Sequence, residues 1–145
     1  MCIRDSYDDA ALAIDLYLRQ LSLKASALQL AAVGATIAAD GINPLTGKIV
    51  YDGKLSQNIV ASMAAQGPCH KANRGWLVAT GLPAVSGFGG GILGVFPGVM
   101  GIAAYSPGLN EKGFSCKAAE ALRFVMNRLN ISVFNSERIH IDKSR

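Results

Sequence analysis

Ser86 is the side chain of this sequence whose setting most suggests chemistry, because it precedes a glycine cluster in the segment AVSGFGGG. One interpretation of such a cluster is a loop that cradles phosphate groups. The phosphate-loop pattern G-x-x-x-x-G-K-[ST] is absent, and the G-x-G-x-x-G spacing fails when counted from Gly87. Two interpretations remain open, since glycine in a strand marks either the close approach of a ligand or tight packing of another backbone.

Nucleophilic catalysis by a serine requires a neighbouring base, and a lysine three residues later on a helix can supply one. The chain contains no S-x-x-K sequence. The two histidines, His70 and His140, lie outside any acid–base cluster in the sequence and are interpreted as solvated. The three cysteines lack C-x-x-C spacing, which argues against a disulfide framework or a zinc site and favours reduced thiols in a cytoplasmic protein.

Composition excludes two classes of partner. The net charge is +4, but the basic residues are scattered without interleaved aromatic residues, which argues against nucleic-acid binding. The long uncharged stretch 75–110 is interrupted by glycines and prolines, so it cannot form a membrane-spanning helix. Because 50% of the residues are hydrophobic and only 17% are charged, part of the protein's surface is expected to be covered rather than exposed to water.

The elements that must position Ser86 follow from periodicity and capping signals. Four helices are predicted, over residues 8–23, 27–40, 57–66 and 115–129. Ser26 is predicted to cap the second helix and Gly41 to end it, and Ser56 is predicted to cap the third. Three strands of an antiparallel meander are predicted within 75–81, 88–98 and 99–108, and a last short strand at 131–134. Together they predict an α+β fold whose sheet is covered on one face by the C-terminal helix.

Four segments of the sequence carry a resemblance to a known family. They are LYLRQLS, ATIAADGINPLTGK, GLPAVSGFGGGILGVFPG and SPGLNEKGFS, and their order and spacing run through almost the whole chain after Tyr7. They resemble the C-terminal half of the serine-dependent glutaminases, whose fold is that of serine β-lactamases and penicillin-binding proteins. The resemblance implies an incomplete domain of that fold, over residues 7–135. Residues 1–6 are predicted to be a non-native leader, and 136–145 a loose tail.

The resemblance also implies a function and a set of site residues. The complete protein is expected to hydrolyse L-glutamine to L-glutamate and ammonia through a serine acyl-enzyme, without a cofactor and as a homo-oligomer. The family's S-x-x-K helix lies upstream, so this chain alone is expected to be inactive and to need the N-terminal half of the domain. Tyr17 matches a tyrosine that contacts substrate, and Ser86 matches a strand serine that faces the nucleophile. Phe88 lies where a backbone amide forms part of the oxyanion hole.

Two residues depart from the family pattern. His70 lies where the family has a tyrosine beside the nucleophile, and Val85 replaces the lysine of a K-S-G strand. Loss of that cation removes an attraction for carboxylate and a member of the proton network. The alternatives are therefore a noncatalytic family member that binds a ligand or partner, and a small α+β module in which the glycines serve packing alone.

Overall fold

Five helices and a three-stranded antiparallel sheet make up the part of the chain that the structure, a computed structural model, describes: residues 8–68, 75–111 and 113–135. The helices are α1 (Ala10–Leu21), α2 (Ala27–Ala38), α3 (Lys54–Gln66), α4 (Trp76–Thr80) and α5 (Cys116–Leu129). The strands are β1 (Ala84–Ser86), β2 (Gly91–Phe96) and β3 (Met100–Tyr105). The α+β fold class predicted from the sequence is confirmed.

Capping side chains begin three of the helices. Asp9 accepts hydrogen bonds from the amides of Ala11 and Leu12 at the start of α1. Ser26 and Gln29 form a reciprocal capping box on α2, and Ser115 accepts from the amide of Ala118 on α5. These caps satisfy amides that have no partner within their own helix.

The sheet is a simple meander in the order β1-β2-β3. Val85 pairs with Leu93 and Ser86 with Ile92, and β2 continues against β3 from Gly91–Tyr105 to Phe96–Met100. Side chains alternate between the two faces of a strand. The register therefore places Val85 and Ser86 on opposite faces.

Each face of the sheet has its own core. On one face α5 and α4 pack with β2 around a cluster that includes Trp76, Leu82, Ile92, Leu122 and Met126. On the other face, α2 and α3 cover Leu93 and Val95. The predicted cover by the C-terminal helix is confirmed, and a second helical layer is added to it.

Small residues bring α2 very close to the sheet. A methyl group built on Gly34 would lie 2.7 Å from Cδ1 of Leu93 and 3.1 Å from Cα of Gly101. The expectation that this alanine-rich helix packs close to a neighbour is thus confirmed, and the neighbour is β3. At the end of α2, Gly41 adopts a φ of +83°, as its predicted helix-stopping role requires.

The predicted first strand, 75–81, is wrong, because Trp76–Thr80 form the short helix α4. The Thr80 hydroxyl donates to the Trp76 carbonyl at 2.8 Å, and Gly81 closes the helix in a left-handed conformation. The Trp76 indole N–H donates to the Leu82 carbonyl at 2.9 Å. These bonds stabilise one helical turn that the run of apolar residues does not reveal.

Two further predictions of local structure are wrong. Residues 131–134 form no strand; the Val133 amide donates one hydrogen bond to the Gly81 carbonyl and a turn follows. Ser56 does not cap α3, which begins at Lys54 behind Gly53. Ser56 is instead buried in the first turn, where its hydroxyl lies 2.8 Å from that of Tyr51.

Across the described ranges, no helix has the length and hydropathy needed to cross a membrane.

Candidate functional site

The turn between β1 and β2 presents the first residues of the glycine cluster, Gly87, Phe88 and Gly89, to solvent. The Gly87 amide donates to the Gly91 carbonyl at 3.0 Å, and the Gly90 amide donates to the Gly87 carbonyl at 3.0 Å. Gly90 has a φ of +89°, which glycine adopts without the strain that a side chain would bring. The two bonds close a tight turn that leaves Phe88 and Gly89 at its tip.

Ser86 ends strand β1 directly before this turn and is exposed. Its hydroxyl donates a hydrogen bond to the carbonyl of Pro68, two residues after α3. A hydroxyl that donates one hydrogen bond keeps lone pairs with which it can accept others. Ser86 is therefore held toward the α3 end of the sheet while still open to a ligand.

Phe88 combines an exposed ring with an available backbone donor. The residue is 81% exposed, and its amide donates no hydrogen bond to any other residue that the structure describes. A free amide at the tip of a glycine-rich turn is suited to stabilising negative charge on a ligand oxygen. The ring lies beside Gly113, since a methyl group built there would be 3.4 Å from Cδ1 and Cε1 of Phe88.

Val85 points away from Ser86 and lines an open groove of about 400 Å³ between α3 and β1. The groove is lined by Leu55, Asn58, Ile59, Ser62, Met63, Gln66 and Val85. Its floor is apolar and belongs to the core cluster under α3. A lysine at position 85 would extend its aliphatic stem along this floor toward the polar side chains of α3.

Tyr17, the other predicted site residue that the structure describes, is not joined to this turn by a hydrogen bond. Tyr17 lies on α1 and is 59% exposed, and no described hydrogen bond links it to Ser86 or Phe88. His70 lies outside the described residues, as do Cys2 and Cys69. Within the ranges that are described, no group of three or more acidic, histidine or cysteine side chains could hold a metal ion.

Sequence reasoning missed two parts of the site. The Pro68 carbonyl that accepts from Ser86 carries no signal in a sequence, because any residue has a carbonyl. Gly113 did carry a signal, since it lies within the segment SPGLNEKGFS, but its contact with Phe88 depends on a chain reversal between β3 and α5.

Helix α1 presents apolar side chains to solvent on all sides, and none of its residues is buried. Leu12, Leu16, Leu18 and Leu21 are each at least half exposed, and so is Leu28 at the start of α2. Several exposed apolar side chains on one helix are typical of a surface that interacts with another part of the protein or with a partner. The sequence-based expectation of covered surface is consistent with this location.

Comparison with known proteins shows which family this chain resembles in sequence. The family model described as Glutaminase matches residues 2–134. The glutaminase of Bacteroides thetaiotaomicron is 45% identical over 133 residues, which are 92% of this chain and 41% of that protein. The glutaminase of Escherichia coli O81 is 44% identical over 128 residues, 88% of this chain and 41% of its own length.

Solved structures agree in fold. The probable glutaminase ybaS superposes with a TM-score of 0.84 at 44% identity, over 90% of this chain and 42% of its own. The Bacillus subtilis glutaminase YbgJ, solved as a covalent complex formed with 6-diazo-5-oxo-L-norleucine, superposes with a TM-score of 0.80 at 24% identity. That superposition covers 87% of this chain and 45% of the other. The predicted β-lactamase-like fold, incomplete in this chain, is confirmed.

The chain spans about two fifths of the length of the curated relatives named above. Its three-stranded sheet, its α5 cover and its glycine-rich turn thus correspond to one part of a larger domain in those proteins. On the match of the family model to most of its residues, the chain belongs to the glutaminase family.

Proposed function

We propose that the full-length protein of which this chain is a part hydrolyses L-glutamine to L-glutamate and ammonia. The observation that carries the proposal is the family match over residues 2–134 together with the free Phe88 amide at the tip of the glycine turn. Mglu, a solved structure that is 31% identical to this chain and superposes with a TM-score of 0.84, has been determined in a glutamate form. Glutamate is the product expected of an enzyme that hydrolyses the glutamine side chain.

In the proposed reaction, a serine hydroxyl from an upstream S-x-x-K segment attacks the side-chain amide carbon of glutamine. The lysine of that segment takes the proton of the hydroxyl as the carbonyl oxygen becomes an oxyanion, and it gives this proton to the nitrogen as the C–N bond breaks and ammonia leaves. Water then hydrolyses the acyl ester, which releases glutamate and restores the serine. The Phe88 amide donates to the oxyanion, where one such donor contributes about 10²–10³-fold to the rate. No cofactor takes part in these steps.

Ser86 is proposed to face the nucleophile and to hydrogen-bond to it or to the substrate. Its exposure at the end of β1 and its anchoring by the Pro68 carbonyl support this role. Tyr17 is proposed to contact the substrate when α1 is covered by the rest of the domain. Val85 and His70 occupy positions where the family has a lysine and a tyrosine, and their contribution is proposed to be weaker than that of those residues.

The apolar surface of α1 supports a second element of the proposal. We propose that the remaining part of the glutaminase domain covers α1 and carries the nucleophile, so that the present residues supply about half of the site. A cytoplasmic location and a homo-oligomeric assembly are proposed as well, on the basis of family resemblance and of the cysteine content.

The test is ammonia release from L-glutamine by the full-length protein, with asparagine as the matched substrate control. We expect release from glutamine, and a loss of about tenfold or more in Ser86→Ala, since positioned hydrogen-bonding groups contribute at this level or above. Ser132→Ala is the control variant, because Ser132 lies beside Gly81 after α5, where its hydroxyl accepts a hydrogen bond from the Phe134 amide. A full-length protein that carries S-x-x-K but releases no ammonia would instead support the noncatalytic ligand-binding alternative.

A further inference from the structure

Two Asp-Gly pairs, Asp40-Gly41 and Asp52-Gly53, lie against each other where α2 ends and α3 begins. A methyl group built on Gly53 would lie 2.8 Å from the Asp40 carbonyl oxygen, and one built on Gly41 would collide with the Tyr51 carbonyl oxygen. Aspartate isomerises most readily in this dipeptide, because glycine has no side chain to shield its backbone nitrogen. The packing therefore keeps both pairs in the sequence context in which this reaction is fastest.

The isomerisation passes through a five-membered succinimide ring. The glycine nitrogen attacks Cγ of the protonated aspartic acid, a C–N bond forms, and the proton of the nitrogen leaves with the hydroxyl group as water. A second water molecule then opens the ring at one of its two carbonyls. Addition at Cγ restores aspartate, whereas addition at the original backbone carbonyl breaks the bond from that carbon to nitrogen. The product of the second path is isoaspartate, whose backbone runs through Cβ and Cγ.

The fold blocks this reaction at the first pair. The Gly41 amide donates to the Thr36 carbonyl at 2.9 Å, and Gly41 is buried. Asp40 and Gly41 have φ values of +50° and +83°, the left-handed conformation with which α2 ends. The nitrogen of Gly41 can attack only after its hydrogen bond to the helix has opened. Reaction at Asp40 therefore requires local unfolding at the end of α2.

The second pair lacks this protection. Asp52 is exposed, and the Gly53 amide donates no hydrogen bond to any residue in the described ranges. Oδ1 of Asp52 accepts from the Lys54 amide at 3.1 Å. This bond folds the carboxyl group back over the peptide that joins Asp52 to Gly53, so the carboxyl carbon stays beside the nitrogen that it must meet.

We propose that Asp52 is a site of spontaneous isoaspartate formation, and that Asp40, in the same dipeptide, is protected. The modification would alter the start of α3. The Asp52 carbonyl, which accepts from the Leu55 amide at 2.9 Å, would become a free carboxylate outside the main chain. Because Leu55 lines the groove between α3 and β1, the change would reach one wall of that groove.

The test follows uptake of heavy oxygen by the folded full-length protein, held for several weeks in water enriched in oxygen-18. Trypsin digestion in ordinary water then separates the two pairs, because Lys24, Lys48 and Lys54 delimit the peptides 25–48 and 49–54. We expect peptide 49–54 to gain heavy oxygen and isoaspartate about tenfold or more faster than peptide 25–48, since a buried hydrogen-bonded amide must open before it reacts. Equal rates, or a faster reaction in peptide 25–48, would overturn the inference.

The denatured full-length protein is the control for intrinsic reactivity. Without the fold, the two peptides are expected to react at rates within about twofold of each other, because the dipeptide is the same and the Gly41 amide is no longer bonded. A preference for Asp52 that is as large in the denatured protein as in the folded one would refute protection of Asp40 by the fold.

Variants at the two aspartates sharpen the comparison, because asparagine forms the same succinimide with loss of ammonia. In the folded protein, Asp52→Asn is expected to deamidate about tenfold or more faster than Asp40→Asn, and equal rates would contradict the inference. Asp52→Ser keeps an oxygen that can accept from the Lys54 amide but cannot form the ring, so its peptide 49–54 should gain no heavy oxygen. Uptake by that peptide would refute the assignment to Asp52. None of these measurements uses glutamine hydrolysis, so the inference is tested separately from the proposed function.

Discussion

Gly101→Ala is expected to be among the most damaging small substitutions in this fold, because β3 and α2 touch through their backbones at this position. A methyl group on Gly101 would lie 2.6 Å from the Ala31 carbonyl oxygen and closer still to the backbone between Gly34 and Ala35. Backbone atoms of a helix cannot rotate aside, so α2 would have to move off the sheet. Overpacking typically costs about 1–3 kcal/mol and sometimes more. With no side chain able to yield, we expect the free energy of unfolding to fall by about 3–5 kcal/mol.

The matched control is Gly98→Ala in the neighbouring β2–β3 turn. Gly98 has a φ of +71°, but a methyl group there would meet nothing within 4 Å, so only a backbone penalty of about 1–2 kcal/mol applies. Denaturant unfolding of the full-length variants, followed by circular dichroism, measures both changes. A Gly101→Ala protein no less stable than Gly98→Ala would refute direct backbone packing of α2 on β3.

Three further predictions concern the core, the groove and the apolar surface. Leu122→Ala, at a position 2% exposed beneath the sheet, should lower the free energy of unfolding by about 2–5 kcal/mol. Leu129→Ala in the same helix, 50% exposed, should change it by about 0.5 kcal/mol at most in the same denaturant assay. Val85→Lys should raise the rate of ammonia release from glutamine about tenfold by restoring a cation to the α3–β1 groove. Val78→Lys, 81% exposed on α4, should leave that rate unchanged, and equal rates in both lysine variants would contradict the role given to position 85. The present chain alone should self-associate and bind a hydrophobic dye through the exposed apolar side chains of α1. The substitutions Leu12→Glu and Leu16→Glu should reduce both self-association and dye binding. A wild-type chain that stays monomeric and binds no dye would contradict the exposure of this surface.

Helices with a polar cap and a regular apolar period were predictable from the sequence. The predicted starts at Ser26 and Ser115 agree with the structure because in each case the hydroxyl bonds to an amide three residues ahead. Ser56 is also a serine, but α3 begins before it. The Leu55 amide donates to the Asp52 carbonyl at 2.9 Å, and the Ser56 amide donates to the Gly53 carbonyl at 3.0 Å. A capping residue alone does not fix where a helix begins.

Short apolar runs were not predictable in the same way. The segment 75–81 is too short for its period to separate a strand from a helix, and the bond from the Trp76 indole to the Leu82 carbonyl decides for the helix. Residues 131–134 have strand-forming side chains, but Asn130 enters the left-handed region with a φ of +52° and a turn follows. Tertiary context overrides local preference in both segments.

The candidate site was predictable through family resemblance more than through chemistry. Ser86 and Phe88 were selected because their segment resembles the glutaminase pattern, and the structure adds that Ser86 lies directly before one exposed turn and Phe88 at its tip. The resemblance did not predict that Val85 is oriented toward α3, nor which group accepts the hydrogen bond of the Ser86 hydroxyl. Those features depend on strand register and on the path of the chain after α3.

Steady-state ammonia release from L-glutamine by the full-length protein, before and after treatment with 6-diazo-5-oxo-L-norleucine, tests the central claim most directly. We predict glutamine-dependent release that the reagent abolishes, with one covalent adduct per chain located by mass spectrometry on the serine of an upstream S-x-x-K. A full-length protein that contains this serine, releases no ammonia and remains unlabelled would contradict the proposal that these residues form half of a glutaminase site.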